Sequence, residues 1–179
     1  MDLPIIIVLS YLIGSIPFGF LLTKVFLKKD IREIGSGNIG ATNVLRTGNK
    51  LLGYGTLILD IFKAVIPVLI IKYQYPEFLF LSSLSVFLGH VFSIWLKFKG
   101  GKGVATFLGI LFALSIGLTL VFIFTWICTT LIFKYSSLSS IFASLTVFVI
   151  SFIKENVINA IDPSISNVDD LKLLLFIFL

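Results

Sequence analysis

Long apolar runs interrupted by two short polar, glycine-rich islands set the pattern of this chain. Residues 3–27 form the first run, 51–71 the second and 78–96 the third. Each is long enough to cross a hydrocarbon core of roughly 30 Å as a helix. The short turn 72–77 between the second and third runs carries lysine, proline and glutamate, so it reads as a surface connection. Residues 107–133 fit either one tilted helix or two short ones hinged at Ser115-Ile116-Gly117. Charge favours two, which brings Lys134 to the side of the islands; residues 141–153 then return outward and 154–170 form an acidic external loop. A last apolar segment starts at Leu171. The pattern predicts an all-α, polytopic bundle of about seven membrane segments, with five as the alternative count. It also predicts one domain over 1–179 and an uncleaved first helix with its N-terminus outside. Nine residues from Leu171 give only ~14 Å of helix, so the last segment is expected to be truncated.

Composition removes the soluble alternatives. Apolar residues make up 58% and charged residues 13%, with mean hydropathy +1.10. The net charge of +5 raises the question of nucleic acid. With seven segments, however, ten of the fourteen Lys/Arg fall at the cytoplasmic side and only Lys72, Lys154 and Lys172 outside. Membrane topology accounts for that distribution, and no basic stripe with stacking aromatics is present. The lone Cys128 lies in an apolar run, where it reads as a small buried hydrophobe and rules out an internal disulfide.

The islands then become the candidate chemistry. The first is Gly35-Ser36-Gly37-Asn38-Ile39-Gly40-Ala41-Thr42-Asn43, closed by Arg46; the second is Lys97-Phe98-Lys99-Gly100-Gly101-Lys102-Gly103-Val104-Ala105-Thr106. Glycine lets the backbone approach an anion and turn N–H groups inward. Arg46 adds a planar fork, Lys102 a point charge, and Ser36, Asn38, Thr42 and Asn43 neutral donors. A helix beginning near Val104 would aim its N-terminus at the same region. Together they suit phosphate-bearing substrates, against the plainer reading as topogenic loops with turn glycines. The Gly35-x-Gly37-x-x-Gly40 spacing imitates a dinucleotide fingerprint but lacks the preceding buried strand. Gly101-Lys102 is followed by Gly103 rather than Ser or Thr, which excludes a nucleotide phosphate loop.

Residues 36–46, together with Gly89-His90 and residues 98–106, resemble the first two signature motifs of the PlsY family of bacterial acyl-phosphate:glycerol-3-phosphate acyltransferases. Asp60-Ile61-Phe62-Lys63 and Tyr135-Ser136-Ser137-Leu138 resemble further segments of that family, so that the likeness covers roughly residues 1–145. The resemblance implies a bacterial inner-membrane enzyme with a cytoplasmic site. It would transfer a fatty acyl group from acyl phosphate to the 1-hydroxyl of glycerol 3-phosphate, giving lysophosphatidate and phosphate. By the same resemblance Ser36, Arg46 and Lys102 are catalytic. Asn38, Thr42, Asn43, Gly100, Gly101, Gly103, Thr106 and Ser137 bind substrate. Membrane lipids and the soluble acyl-phosphate-forming enzyme are the implied partners, and neither metal nor cofactor is called for.

Three buried candidates have two readings each. His90 suits a general base, or a hydrogen bond that orients a loop. Asp60 and Lys63, three apart on one helical face, form either a mutual ion pair supporting the loops or a direct substrate contact. The family's third motif, a His-Arg-x-Asn-Ile stretch, has only a faint counterpart in Lys154-Glu155-Asn156-Val157, and an inactive chain is therefore expected. A small anion transporter and a catalytically impaired scaffold are the competing classes. No inverted repeat supports the transporter.

Overall fold

The computed structural model describes residues 3–153 and Lys172, and every described element is helical. The chain divides into two compact units, Met1–Ile110 and Leu111–Leu179.

The first unit starts with a helix that does not run straight. α1 (Leu3–Ser15) stops before Pro17, and α2 (Phe18–Leu22) continues into a π-helical turn at Thr23–Leu27, bent by 40° from α1. Proline lacks the N–H that a continuous helix needs and its ring crowds the preceding turn. The single first helix expected from hydropathy is therefore a broken one. The break frees main-chain carbonyls inside an apolar bundle, and neighbouring helices supply the donors. Ser93 Oγ donates to Ser15 O at 2.6 Å, and Lys63 Nζ to Ile16 O at 2.7 Å.

Two further long helices complete the unit's frame. A short helix, α3 (Ala41–Leu45), precedes α4 (Lys50–Gln74), whose N-terminus is capped by Asn49 accepting from Leu52 N at 3.1 Å. On α4 the exposed Ile58, Phe62, Ile66 and Ile70 recur every four residues, a stripe suited to lipid. Asp60, Lys63, Ala64 and Val68 lie buried on the other face. α5 (Leu79–Val91) carries single 3-10 turns before and after it, Pro76–Phe78 and Ile94–Leu96. It packs chiefly on α1, where a Cβ at Gly14 would strike the Val86 backbone and one at Gly89 the carbonyl of Tyr11. Small residues allow this close backbone approach in membrane bundles. Ser10 and Ser82 hydrogen-bond across the same interface at 2.9 Å.

α6 (Val104–Leu114) leads into the second unit. The break expected at Ser115 is present: its side chain accepts from Leu118 N at 3.2 Å and caps α7 (Ile116–Phe133). α8 (Ser136–Ile153) packs on α7 through Trp126 to Ser140 at 3.3 Å, Thr130 to Ser139 at 2.8 Å, and the stacked rings of Phe133 and Phe142.

Three described helical segments are long and apolar enough to cross a membrane: Lys50–Gln74, Pro76–Leu96 and Ile116–Phe133. The bent pair Leu3–Ser15 with Phe18–Leu27 makes a fourth. Seven is more than the described residues supply, because Val104–Leu114 and the apolar part of α8, Ser136–Ser151, fall short of a full crossing. The acidic loop at 154–170 and the run from Leu171 lie outside the described residues, apart from Lys172.

Candidate active site

The first island is held in shape from within. Asn43 is buried, and its Nδ2 donates toward Ile31 O at 3.1 Å, Ile34 O at 2.9 Å and Asn38 O at 2.8 Å. Its Oδ1 accepts from Ser36 N at 3.0 Å. Expected among the substrate-binding residues, Asn43 is instead the tie that closes the loop, since both of its polar atoms serve main-chain groups. Asn38 Oδ1 accepts from Gly40 N at 3.2 Å and adds a local turn. Gly35 has φ +57°, and a Cβ there would run into Asn43 Oδ1 and into the side chain of Arg46, which folds back over it. Ser36, Thr42 and Arg46 are exposed at this surface.

The approach to this loop carries its own ion pair. Asp30 caps the 3-10 turn Ile31–Glu33 by accepting from Arg32 N at 3.0 Å, and it receives Arg32 Nη2 at 2.6 Å. The guanidinium also lies 4.9 Å from the centre of the Phe20 ring. Hydrogen bonding from Arg32 holds the Asp30 carboxyl at about 2, below its ordinary value.

The second island folds onto the end of α5. Gly100 N donates to Val91 O at 3.0 Å and Gly101 N to His90 O at 3.1 Å. These two amides had been expected to face phosphate; they are already used by the backbone. Lys97 and Phe98 are both left-handed, with φ of 54° and 62°, and Phe98 N reaches Ser93 O at 2.8 Å. Gly103, at φ +81°, sits where a Cβ would enter the Phe87 ring. α6 starts directly after it, so the first-turn N–H groups of Val104, Ala105 and Thr106 lie beside this loop without helical partners of their own. Lys102 is exposed. Thr106, read from sequence as a ligand contact, is fully buried, and its Oγ1 has no hydrogen-bond partner among the described residues.

One apolar cluster underlies both islands. Ile39 and Val44 of the first, with Ile31 just before it, pack with Leu52 of α4 and with Leu96, which immediately precedes the second. The two loops are thus brought to one end of the first unit, as the sequence requires for a common site.

Beneath them lies a buried ionic group. Lys63 Nζ is 2.7 Å from Asp60 Oδ1 and 2.8 Å from His90 Nδ1, in addition to its bond to Ile16 O. The side chains of Lys63 and Asp60 are only 2% and 3% exposed, and the mutual ion pair of the first reading is present. Sequence reasoning missed the Ile16 carbonyl, although Pro17 was the signal that a carbonyl near it needs a new donor. Ser137 belongs to the second unit, exposed in the first turn of α8.

The Glycerol-3-phosphate acyltransferase family matches residues 4–179. This chain belongs to that family. The glycerol-3-phosphate acyltransferase of Pelagibacter ubique is 67% identical over 156 residues, covering 87% of this chain and 82% of the relative. That of Bartonella henselae is 54% identical over 144 residues, covering 78% and 68%. In fold, the chain is similar to the crystal structure of PlsY, an integral membrane glycerol 3-phosphate acyltransferase, in its glycerol 3-phosphate form. The TM-score is 0.87 at 33% identity, over 98% of this chain and 84% of that one. The lysophosphatidic acid form gives 0.82 at 32% identity, over 98% and 83%. The chain is a glycerol-3-phosphate acyltransferase and an integral membrane protein of the PlsY type, and the transporter and scaffold readings are not favoured.

Proposed function

We propose that this acyltransferase uses acyl phosphate as donor and acylates the 1-hydroxyl of glycerol 3-phosphate on the cytoplasmic side of the bacterial inner membrane. Attack of the hydroxyl oxygen on the acyl carbon forms the ester and breaks the bond to phosphate, which leaves; the hydroxyl proton is released. Phosphate in a mixed anhydride is already a good leaving group, so positioning and charge stabilisation carry the catalysis and no nucleophilic triad is needed. Arg46 and Lys102 supply the fixed cations for the two phosphate groups, and Ser36, with Asn38 and Thr42, supplies neutral donors. Lys102, Gly103 and the start of α6 present main-chain N–H groups. Asn43, Gly100, Gly101 and Thr106 shape the loops. The family likeness alone supports a substrate-binding role for Ser137.

The observation that carries this reading is the apolar cluster shared by the two loops, which sets two exposed, cation-bearing turns on one foundation. Two phosphate-bearing substrates need two such turns. The chain acts as one integral-membrane domain over 1–179, its N-terminus outside by the distribution of Lys and Arg. Lysophosphatidate leaves into membrane lipid, and the soluble acyl-phosphate-forming enzyme supplies the donor. Purified protein given labelled glycerol 3-phosphate with acyl phosphate, acyl-CoA or acyl carrier protein in turn tests this. Product from acyl phosphate alone is expected, and product from either thioester without acyl phosphate overturns the donor assignment.

A further inference from the structure

Lys63 meets three partners at hydrogen-bonding distance: Asp60 Oδ1 at 2.7 Å, Ile16 O at 2.7 Å and His90 Nδ1 at 2.8 Å. Asp60 pairs with Lys63 by charge, and an ammonium group has hydrogens but no lone pair, so the bonds to Ile16 O and His90 Nδ1 are donations from Lys63. His90 Nδ1 must then accept, which leaves the ring proton on Nε2. Asp60 offers no competing arrangement, because its Oδ1 lies 3.9 Å from Nδ1, beyond hydrogen-bond range.

The other edge of the same imidazole meets the second island. A Cβ placed on Gly101 would collide with His90 Nε2 and lie 3.0 Å from Cε1 and 3.2 Å from Cδ2. The main chain ties the same two residues together, Gly101 N donating to His90 O at 3.1 Å. One residue therefore joins the buried charge group on α4 to the turn that carries Lys102.

We propose that His90 is a positioning residue: Lys63 fixes it as the Nε2–H tautomer, and the ring so oriented braces the Gly100–Gly103 turn beneath Lys102. His90 takes no proton from the substrate hydroxyl. This rests on the acyltransferase reading for its kinetic consequences, but the tautomer is a property of the folded protein alone.

His90 is the single histidine in the chain, so protein labelled with 15N-histidine gives one imidazole to observe. In lipid nanodiscs at neutral pH, a protonated Nε2 and an unprotonated Nδ1 are expected. A proton on Nδ1, or on both nitrogens, overturns the proposal whether or not the protein transfers acyl groups. Kinetics give a second, independent reading. Asparagine places an amide oxygen near the Nδ1 position, so His90→Asn keeps an acceptor for Lys63, whereas His90→Leu does not. His90→Asn is expected to raise the KM for glycerol 3-phosphate while holding kcat within about tenfold, and His90→Leu to perform worse on both. Loss of a general base costs at least about a hundredfold in kcat. A loss of that size in His90→Asn, in protein that still binds glycerol 3-phosphate, also overturns it.

Discussion

Replacing Asn43 by alanine removes the partner of the Asn38 carbonyl and of the Ser36 N–H, and one of two donors at the carbonyls of Ile31 and Ile34, which keep Ile34 N and Gly37 N. A buried group left unsatisfied costs roughly 1–3 kcal/mol, and water can recover part of that at the exposed rim. Asn43→Ala is expected to lose about 3 kcal/mol of stability, seen as a lower melting temperature in detergent, together with its activity. Arg46→Ala and Lys102→Ala should behave in the opposite way, since both side chains are exposed. Each should melt like the parent protein while turnover falls at least about a hundredfold, equivalent to roughly 2.7 kcal/mol of transition-state stabilisation. Near-normal turnover in both would reduce the loops to topology signals. The two loops were legible in the sequence because polar residues stranded among apolar runs need a reason to be there, and Ser36, Arg46 and Lys102 lie exposed on them. Asn43 was not, since an amide that binds a ligand and one that binds its own loop look alike until the fold is known. The same ambiguity hid the use of the Gly100 and Gly101 amides by α5.

Within the connecting segments, the Asp30 cap gives a pH-dependent test. Its folded carboxyl titrates at about 2 against an ordinary 3.8, so the pair stabilises the fold above the ordinary value and that contribution is lost as pH falls through about 2. The pair is solvent-facing, with Arg32 45% exposed, which limits its worth to about 1 kcal/mol or less. Asp30→Asn should therefore melt slightly below the parent at pH 6 and converge with it near pH 2 in a series of thermal scans. A difference that persists at pH 2 would mean that the carboxylate charge is not what matters. Element breaks were unevenly legible. The α6–α7 break was readable because Ser115 and Gly117 interrupt an apolar run longer than one span needs. The α1–α2 break was marked just as plainly by Pro17, but mean hydropathy, which proline scarcely lowers, concealed it.

Across the whole chain, orientation is the least constrained property and the easiest to probe. In a Cys128→Ser background, cysteines at Asn49 and Lys99 should be shielded from an impermeant reagent in intact cells, while one at Glu77 should label. Labelling at all three positions would overturn the topology. The all-helical membrane class followed from composition, whereas the span count did not, because hydropathy cannot tell a crossing helix from a short apolar one such as α6. The kink at Pro17 has a further bearing, on biogenesis. Ser15 O is met by Ser93, and Ile16 O, which also accepts from Phe18 N, by Lys63; these two donors leave the ribosome some 80 and 50 residues after the carbonyls in the chain. Until those residues arrive, the first helix enters the bilayer with a local debt of hydrogen bonds, and it can settle only once α4 and the end of α5 have been threaded beside it. The helix pair α1–α2 is therefore made before its partners and finished only after them.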